Sequence, residues 1–358
     1  MSAALVERLS RLIAMRTDNP GTGEPVMAAA LKLELERHAP DAIEVVDVPR
    51  GAITSSAVLA RWGKPSLLVN AHLDTVPPNR GWSGDPFVAR IDGDRLVGLG
   101  SADTKGAIAA ILGALDEVRP RDTAVLFSGD EELDNQCMRA LLRKGTLAGV
   151  ERAIVCEPTS LRFGTRHRGI LSLEVVARGP GGHSAFADTL TNPMADLSRL
   201  AARLDDWGMR QRTSGPTGFP GICFNVAKLD GGVAFNVVAS QATLTVSLRP
   251  PPGTDVPFIQ RALEAIVHEV VPSATLTWLM ANPPFATREP AWFASALGER
   301  ETLDLGFWTE AALLSEAGID AVVIGPGDIA LAHSPDEFVP IADLVEAQAL
   351  FAKLFRSA

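Results

Sequence analysis

The 358-residue chain contains no tyrosine and only three cysteines, and each scarcity excludes a class of function. Without tyrosine, any mechanism that needs a phenol as acid or nucleophile is excluded. Cys137, Cys156 and Cys223 form neither a C-x-x-C pair nor an even set. We therefore expect a reducing compartment without a disulfide framework. We interpret all three cysteines as small buried hydrophobic residues.

Long apolar runs and an excess of positive charge are also missing. The longest stretch of small and apolar residues, Gly106 to Leu115, is too short to cross a bilayer. Glu7 and Arg8 interrupt the apolar residues near the amino end, which argues against a signal peptide. The net charge of −10 argues against nucleic acid and anionic membranes as partners. We therefore expect a cytoplasmic protein that acts on a small molecule.

The order of apolar and polar residues predicts two domains. Short apolar strands such as Thr123–Ser128 alternate with helices up to about residue 165, and this character returns from about residue 280. Such alternation is typical of an α/β domain with a mainly parallel, buried sheet. Between these parts, Leu171–Val175 and Ala242–Leu248 alternate apolar with polar residues, which indicates a sheet with one solvated face. The predicted domains are an α/β domain of residues 1–165 and 279–358 and an inserted α+β domain of residues 166–278.

Five histidine and carboxylate residues follow predicted strands, directly or after a glycine-containing loop. They are His72, Asp103, Glu132, Glu157 and His333. Each is ordinary by itself, because an HxD step, a helix-capping aspartate or an acidic turn also occurs without a metal. The carboxyl ends of parallel strands converge on one crevice, so we expect the five residues to meet there. Imidazole and carboxylate without thiolate suit zinc in a catalytic site.

Two neighbouring carboxylate patterns strengthen this interpretation. Asp74 lies two residues after His72 in an extended segment, so both side chains can point the same way. A carboxylate beside a metal-binding histidine fixes the tautomer of its ring. The run Asp130-Glu131-Glu132 repels itself unless water solvates it or a cation neutralises it.

These residues lie in motifs that resemble, in order, those of the di-zinc metallohydrolases that include acetylornithine deacetylase, succinyl-diaminopimelate desuccinylase and carboxypeptidase G. The motifs cover nearly the whole chain and are HLDTVP, GLGSADTKG, DEE, CEPTSL, GGHSA and GPGDIALAHSPDEF. The last of them, with EPTSL and LRPPPG, is most similar to the acetylornithine deacetylases. The sequence departs from the family pattern at two places, Thr104 in GSADTKG and the segment DEELDN. Neither departure removes a metal ligand, but both leave the detailed substrate preference open.

The resemblance implies a zinc-peptidase-like catalytic domain with two Zn²⁺ ions, which Co²⁺ could replace. His72 and Glu157 would bind one ion. Glu132 and His333 would bind the other, and Asp103 would bridge the two.

The resemblance also implies roles for the neighbours of these ligands. Glu131 would be the general base, and Asp74 would orient His72. The peptide bond between Asp103 and Thr104 would be cis. The inserted domain would serve as a lid and as the dimerisation domain of a homodimer.

Four further residues match family positions near the substrate. His183 would stabilise the oxyanion, reaching the active site of the partner subunit. Asn236 and Arg249 match lid positions that we assign to substrate binding. Glu310, in Thr309-Glu310-Ala311, resembles a segment near the active site and could be an acid that meets a cationic substrate.

We therefore predict an enzyme that hydrolyses the amide bond of an N2-acetyl-L-amino acid and releases acetate. N-acetyl-L-ornithine and N-acetyl-L-citrulline both remain open as substrates, and either would place the enzyme in arginine biosynthesis. One alternative is a carboxypeptidase, a dipeptidase or another N-acyl amino acid amidohydrolase with the same zinc site. Another is a non-catalytic binding relative without metals, against which the presence of all five ligands and Glu131 argues.

Overall fold

A computed structural model describes residues 2–357, and the chain divides into two compact units. Unit 1 contains the chain up to Thr165, Thr287–Asp304 and the chain from Thr309 onward. Unit 2 contains Arg166–Ala286 and Leu305–Trp308. The inserted domain was expected to end at residue 278, but the last strand of the unit 2 sheet continues to Asn282. The catalytic and lid roles of the two parts remain predictions.

The helices and strands are as follows in chain order. The helices are α1 (Ser2–Ala14), α2 (Glu24–Glu36), α3 (Lys105–Glu117), α4 (Gln136–Arg143), α5 (Pro193–Gln211), α6 (Val256–Val270), α7 (Pro290–Leu297), α8 (Ala311–Glu316) and α9 (Ile341–Ser357). The strands are β1 (Ala42–Arg50), β2 (Ile53–Trp62), β3 (Leu67–His72), β4 (Arg90–Asp92), β5 (Arg95–Val97), β6 (Thr123–Ser128), β7 (Arg152–Val155), β8 (Phe163–His167), β9 (Ile170–Arg178), β10 (Gly182–His183), β11 (Cys223–Gly231), β12 (Val237–Val238), β13 (Gln241–Arg249), β14 (Thr275–Asn282), β15 (Phe285–Ala286), β16 (Thr302–Leu305), β17 (Asp320–Val323) and β18 (Phe338–Pro340).

Within unit 1 the main sheet has the strand order β1-β2-β6-β3-β7-β17-β8, and β16 also pairs with β8. Its four central strands, β6, β3, β7 and β17, are parallel, whereas β1, β2 and β8 join it by antiparallel pairing. Strands β3 and β6 are buried at every residue, as expected for a parallel sheet that is covered on both faces. The predicted α/β fold with a mainly parallel sheet is confirmed.

Helix α3 occupies the centre of the unit 1 core because its side chains are small. It is buried without interruption from Lys105 to Leu115 and packs against α1 and α9. A Cβ atom at Gly113 would lie 2.7 Å from the side-chain oxygen of Gln348 on α9. Glycine at this position therefore permits the close approach of the two helices, at the usual cost in helix propensity.

Unit 2 is an α+β structure around the antiparallel sheet β11-β13-β9-β14. Strands β9 and β13 alternate buried and partly exposed residues, which confirms the predicted sheet with one solvated face. Their buried side chains pack with those of α5 and α6 in a single core. Both helices begin at a capping side chain: Asn192 accepts the N–H of Ala195 at 3.3 Å, and Asp255 accepts that of Phe258 at 3.1 Å.

The prediction that all cysteines are buried is right for two residues and wrong for the third. Cys137 and Cys156 are buried, but Cys223 is exposed. It begins β11, which lies at the edge of the unit 2 sheet and is exposed along almost its whole length. Among the described helices, none combines the length and apolar character that a bilayer span requires.

Candidate active site and metal centre

The candidate site lies where the parallel strands of unit 1 end. His72 is the last residue of β3, and Glu157 comes two residues after the end of β7. Glu132 lies in the turn that follows β6, and Asp103 lies shortly before α3. His333 comes from the longer loop between β17 and β18. The ends of three parallel strands, together with the loops that carry Asp103 and His333, therefore bring together five residues that are far apart in sequence.

Asp103 lies between two pairs, each made of a histidine and a glutamate. On one side, His72 Nε2 is 2.9 Å from Asp103 Oδ1 and 4.0 Å from Glu157 Oε2. On the other side, His333 Nε2 is 3.4 Å from Asp103 Oδ2 and 2.7 Å from Glu132 Oε1. Each carboxylate oxygen of Asp103 thus faces a different histidine. The His72 side is buried, whereas the His333 side chain is 48% exposed, so the cluster opens to solvent on that side.

The donor atoms of this cluster fit divalent metal ions. His72, Asp103 and Glu132 can each offer one ligand atom, and these three atoms lie within 4.8 Å of one another. Imidazole nitrogen with carboxylate oxygen is the usual donor set of catalytic zinc.

The electrostatics of the cluster also favour a cation. Burial raises the pKa of Glu131 and of Glu157 well above the usual range, and neighbouring carboxylates add to the effect. Hydrogen bonds with Asp103 and Glu132 raise the pKa of His333 to about 10. Burial therefore disfavours the negative charge of these glutamates. Divalent cations at the same donors would offset that charge, so the residues fit a metal centre.

Asp74 connects His72 to the acidic turn. The nearer contact of His72 Nδ1 is the backbone carbonyl of Asp74, at 3.0 Å, and the carboxylate is 3.5 Å away. The carboxylate instead accepts the backbone N–H groups of Glu131 and Glu132, at 3.2 and 3.1 Å. With Nδ1 donating to the carbonyl, the Nε2 lone pair of His72 is available to a cation.

The carboxylate of Glu131 has no hydrogen-bond partner among the described residues. Asp74 holds its backbone N–H and Asn135 contacts its backbone carbonyl, but no hydrogen bond reaches its carboxylate within residues 2–357. The side chain is partly exposed and directly precedes Glu132 in the chain. A water molecule bound beside the metal ligands could therefore donate to Glu131.

Two supporting residues were not identified as such from the sequence. Asn19 is buried, and its amide donates to Asp74 Oδ2 at 2.7 Å. Thr104, noted above only as a departure from the family pattern, donates its hydroxyl to the carbonyl of His72 at 2.7 Å. The peptide bond between Asp103 and Thr104 is cis, as the resemblance implies.

Glu310 lies in unit 1 and is 1% exposed. Its Oε2 accepts hydrogen bonds from Asn70 of β3 at 2.7 Å and from Ser128 of β6 at 2.6 Å. Its Oε1 has no partner among the described residues. Burial raises its pKa to about 7 despite these two hydrogen bonds. The side chain therefore joins the ends of two neighbouring strands.

The other predicted substrate contacts belong to unit 2, and all are exposed. His183 and Asn236 lie together, since the N–H of Ser184 donates to the carbonyl of Asn236 at 3.0 Å. His183 Nδ1 accepts the N–H of Ala185 at 3.1 Å, so the ring proton is on Nε2. Arg249 is the last residue of β13.

The sequence matches the profile of Peptidase family M20/M25/M40 over residues 68–357. The chain belongs to this family. It is 34% identical over 355 residues to an N-acetyl-L-citrulline deacetylase of Xanthomonas campestris pv. campestris, with 96% of this chain and 94% of the relative covered. It is 32% identical over 377 residues to an acetylornithine deacetylase of Myxococcus xanthus, with coverages of 98% and 96%. The protein is therefore an enzyme, a metal-dependent amidohydrolase.

Solved structures of the family share this fold. An M20 metallo-carboxypeptidase from Sulfolobus solfataricus aligns with a TM-score of 0.76 at 18% identity and covers 99% of both chains. A dinuclear metal-binding M20 peptidase from Bacillus subtilis aligns with a TM-score of 0.68 at 18% identity, covering 99% of this chain and 98% of the other.

Proposed function

We propose that this enzyme hydrolyses the amide bond of an N2-acetyl-L-amino acid, with N-acetyl-L-citrulline or N-acetyl-L-ornithine as substrate. The observation that carries the proposal is Asp103 between two histidine–glutamate pairs, with the free carboxylate of Glu131 in the adjoining turn. The names of the two relatives described above support the acetyl group and both amino acids. Either substrate belongs to arginine biosynthesis, and we propose a cytoplasmic location.

We assign two divalent ions, zinc by the type of donor, to the cluster. His72 and Glu157 would hold one, Glu132 and His333 the other, and Asp103 both. When bound, the ions would polarise the scissile carbonyl and lower the pKa of a water molecule.

Glu131 performs the proton transfers in this proposal. Its carboxylate accepts a proton from the attacking water, whose oxygen bonds to the acetyl carbon. Glu131 then delivers that proton to the amide nitrogen as the carbon–nitrogen bond breaks, so that acetate and a free amino acid leave. Asp74 keeps Glu131 in place by accepting its backbone N–H.

Unit 2 supplies the remaining groups. The Nε2–H of His183 is exposed and available to stabilise the oxyanion of the tetrahedral intermediate. The guanidinium of Arg249 suits the substrate carboxylate, because it can bind in a forked geometry, and Asn236 offers an amide. These assignments rest on the family resemblance and on the exposure of the three side chains.

A homodimer through unit 2 is part of the proposal. Strand β11 pairs only with β13 among the described strands, so its other edge is open. The loop that follows it carries Val233, 87% exposed, and Phe235, fully exposed. Open strand edges and exposed large apolar side chains are typical of association surfaces.

The first prediction concerns the general base. Glu131→Gln should retain about two zinc ions per chain while turnover falls by about 10²–10⁴-fold, because the variant keeps the ligands but cannot accept the proton. Zinc content and deacetylation are measured on the same sample. Asp134→Asn is the matched control, since Asp134 lies in the same turn but pairs with Arg50 at 2.7 Å, and it should remain active.

Chelation completes this experiment. Removing metal from the wild type should abolish turnover, and added Zn²⁺ should restore it. An active Glu131→Gln variant would show that the base is assigned wrongly. Full activity of the stripped wild type would refute the metal centre itself.

The second prediction concerns substrate choice. We expect kcat/KM for N-acetyl-L-citrulline and N-acetyl-L-ornithine to exceed the values for dipeptides and longer N-acyl amino acids. Glu310→Gln should reduce kcat/KM for both acetyl compounds by a similar factor, because Glu310 is buried and bonded to Asn70 and Ser128. A loss confined to acetylornithine would instead show that Glu310 binds the substrate cation, and a preference for dipeptides would favour the peptidase alternative.

The third prediction concerns His183. If it acts across the dimer, mixing the inactive variants His183→Ala and Glu131→Gln should restore activity, up to about a quarter of the wild-type rate per chain after random subunit exchange. This mixture is compared with each variant alone under the same exchange conditions. If mixed dimers form by subunit exchange but show no activity, His183 acts in the active site of its own chain.

A further inference from the structure

Glu337 is a buried carboxylate that has no part in the proposed chemistry, yet it is bonded to the loop that carries Asp103. It is 2% exposed. Its Oε2 accepts the N–H of Gly100 at 2.9 Å, and its Oε1 accepts the N–H groups of Ala102 at 2.9 Å and Asp103 at 3.1 Å. All three donors belong to one four-residue loop, Gly100–Asp103, and both side-chain oxygens of Glu337 bind this loop.

Backbone hydrogen bonds within the loop leave these three N–H groups without an acceptor. The N–H of Ser101 donates to the carbonyl of Gly98 at 3.0 Å, and the N–H of Lys105 donates to the carbonyl of Gly100 at 2.9 Å. Gly100 has a φ of +77°, and a Cβ atom there would lie 2.8 Å from the side chain of Thr75, so only glycine suits the turn. Without Glu337, three N–H groups would lose their acceptor in a buried place, which costs more than the loss of exposed hydrogen bonds. The loop would then relax, and the position of Asp103 would change with it.

The segment from His333 to Glu337 contacts Asp103 at both of its ends. His333 approaches the carboxylate of Asp103, at 3.4 Å, and Glu337 accepts the backbone N–H of the same residue, at 3.1 Å. Between them, Asp336 bonds to Ser83 at 2.9 Å and to Arg90 at 2.7 Å, which ties the segment to the surface. The chain then continues into β18, which pairs with β5. One short segment therefore determines the positions of both His333 and Asp103.

We propose that Glu337 is a positioning residue for the metal centre, which holds the carboxylate of Asp103 where it can contact both ions. This inference rests on the proposed function, because it presumes that Asp103 bridges two metals. Glu337 acts through the backbone, because both of its carboxylate oxygens accept backbone N–H groups of the loop. Groups that orient metal ligands in this way commonly change metal affinity by about 10- to 100-fold when they are replaced.

The test is the zinc affinity of Glu337→Gln. Glutamine has nearly the same shape, but its NH₂ group must face at least one of the three N–H donors. We expect the more weakly held zinc ion to lose about 10- to 100-fold in affinity, measured by competition with a fluorescent zinc chelator. At limiting zinc, kcat should fall while KM changes little, and excess zinc should restore part of the loss.

The matched control is Asp320→Asn. Asp320 is also a buried carboxylate, and it accepts the backbone N–H groups of Arg288 and Glu289, both at 2.8 Å, at the start of β17 and away from the cluster. Its zinc affinity should equal that of the wild type. Thermal unfolding of the metal-free proteins is measured in parallel. A merely structural role would lower the unfolding temperature but would leave zinc affinity unchanged at temperatures where the variant is folded. If Glu337→Gln does not fold, Glu337→Asp replaces it, which keeps the charge but shortens the side chain, and the same loss is expected.

The outcomes distinguish this inference from the proposed function. Wild-type zinc affinity in the folded Glu337 variant would overturn the positioning role while leaving the metal centre intact. Failure of the wild type itself to bind two zinc ions would overturn the proposed function and, with it, the basis of the inference.

Discussion

The gathering of four carboxylates in a largely buried place is the constraint on which this site depends. Asp103, Glu131, Glu132 and Glu157 lie at the end of a parallel sheet, where burial and then neighbouring carboxylates raise the pKa of the three glutamates. Two histidines alone offset only part of that charge. A pair of divalent cations held by the same donors would offset it fully, and the same cations would supply the chemistry of amide hydrolysis. The binding of two divalent cations would therefore both neutralise the carboxylates and make amide hydrolysis possible.

The supporting contacts show how the scaffold holds these groups in place before a cation binds. Asp74 accepts two backbone N–H groups of the acidic turn, and Glu337 accepts three from the loop of Asp103. Glu310 bonds to side chains at the ends of β3 and β6. In each case a buried carboxylate orders a segment that carries a candidate ligand or base. Such preorganisation is what a catalytic metal site requires.

The residues of the cluster could be predicted from the sequence because each follows a strand, and strand ends converge in this fold. The alternation in β9 and β13 likewise revealed the open sheet of unit 2. The contacts of the supporting residues could not be predicted in this way. The resemblance pointed to Glu310 but not to its bonds with Asn70 and Ser128, which are distant in sequence. Glu337 bonds to backbone groups, which any sequence offers. The exposure of Cys223 was also hidden, because it depends on the edge position of β11 and not on its own residue type.

Two ions bridged by Asp103 can be tested directly by anomalous diffraction at the zinc absorption edge from crystals of the zinc-loaded enzyme. We expect two anomalous peaks per chain, one in contact with His72 and Glu157 and the other with Glu132 and His333. Asp103 should contact both, at about 2.0–2.2 Å as is usual for zinc–carboxylate bonds. A single peak, or two peaks that do not share Asp103, would contradict this arrangement.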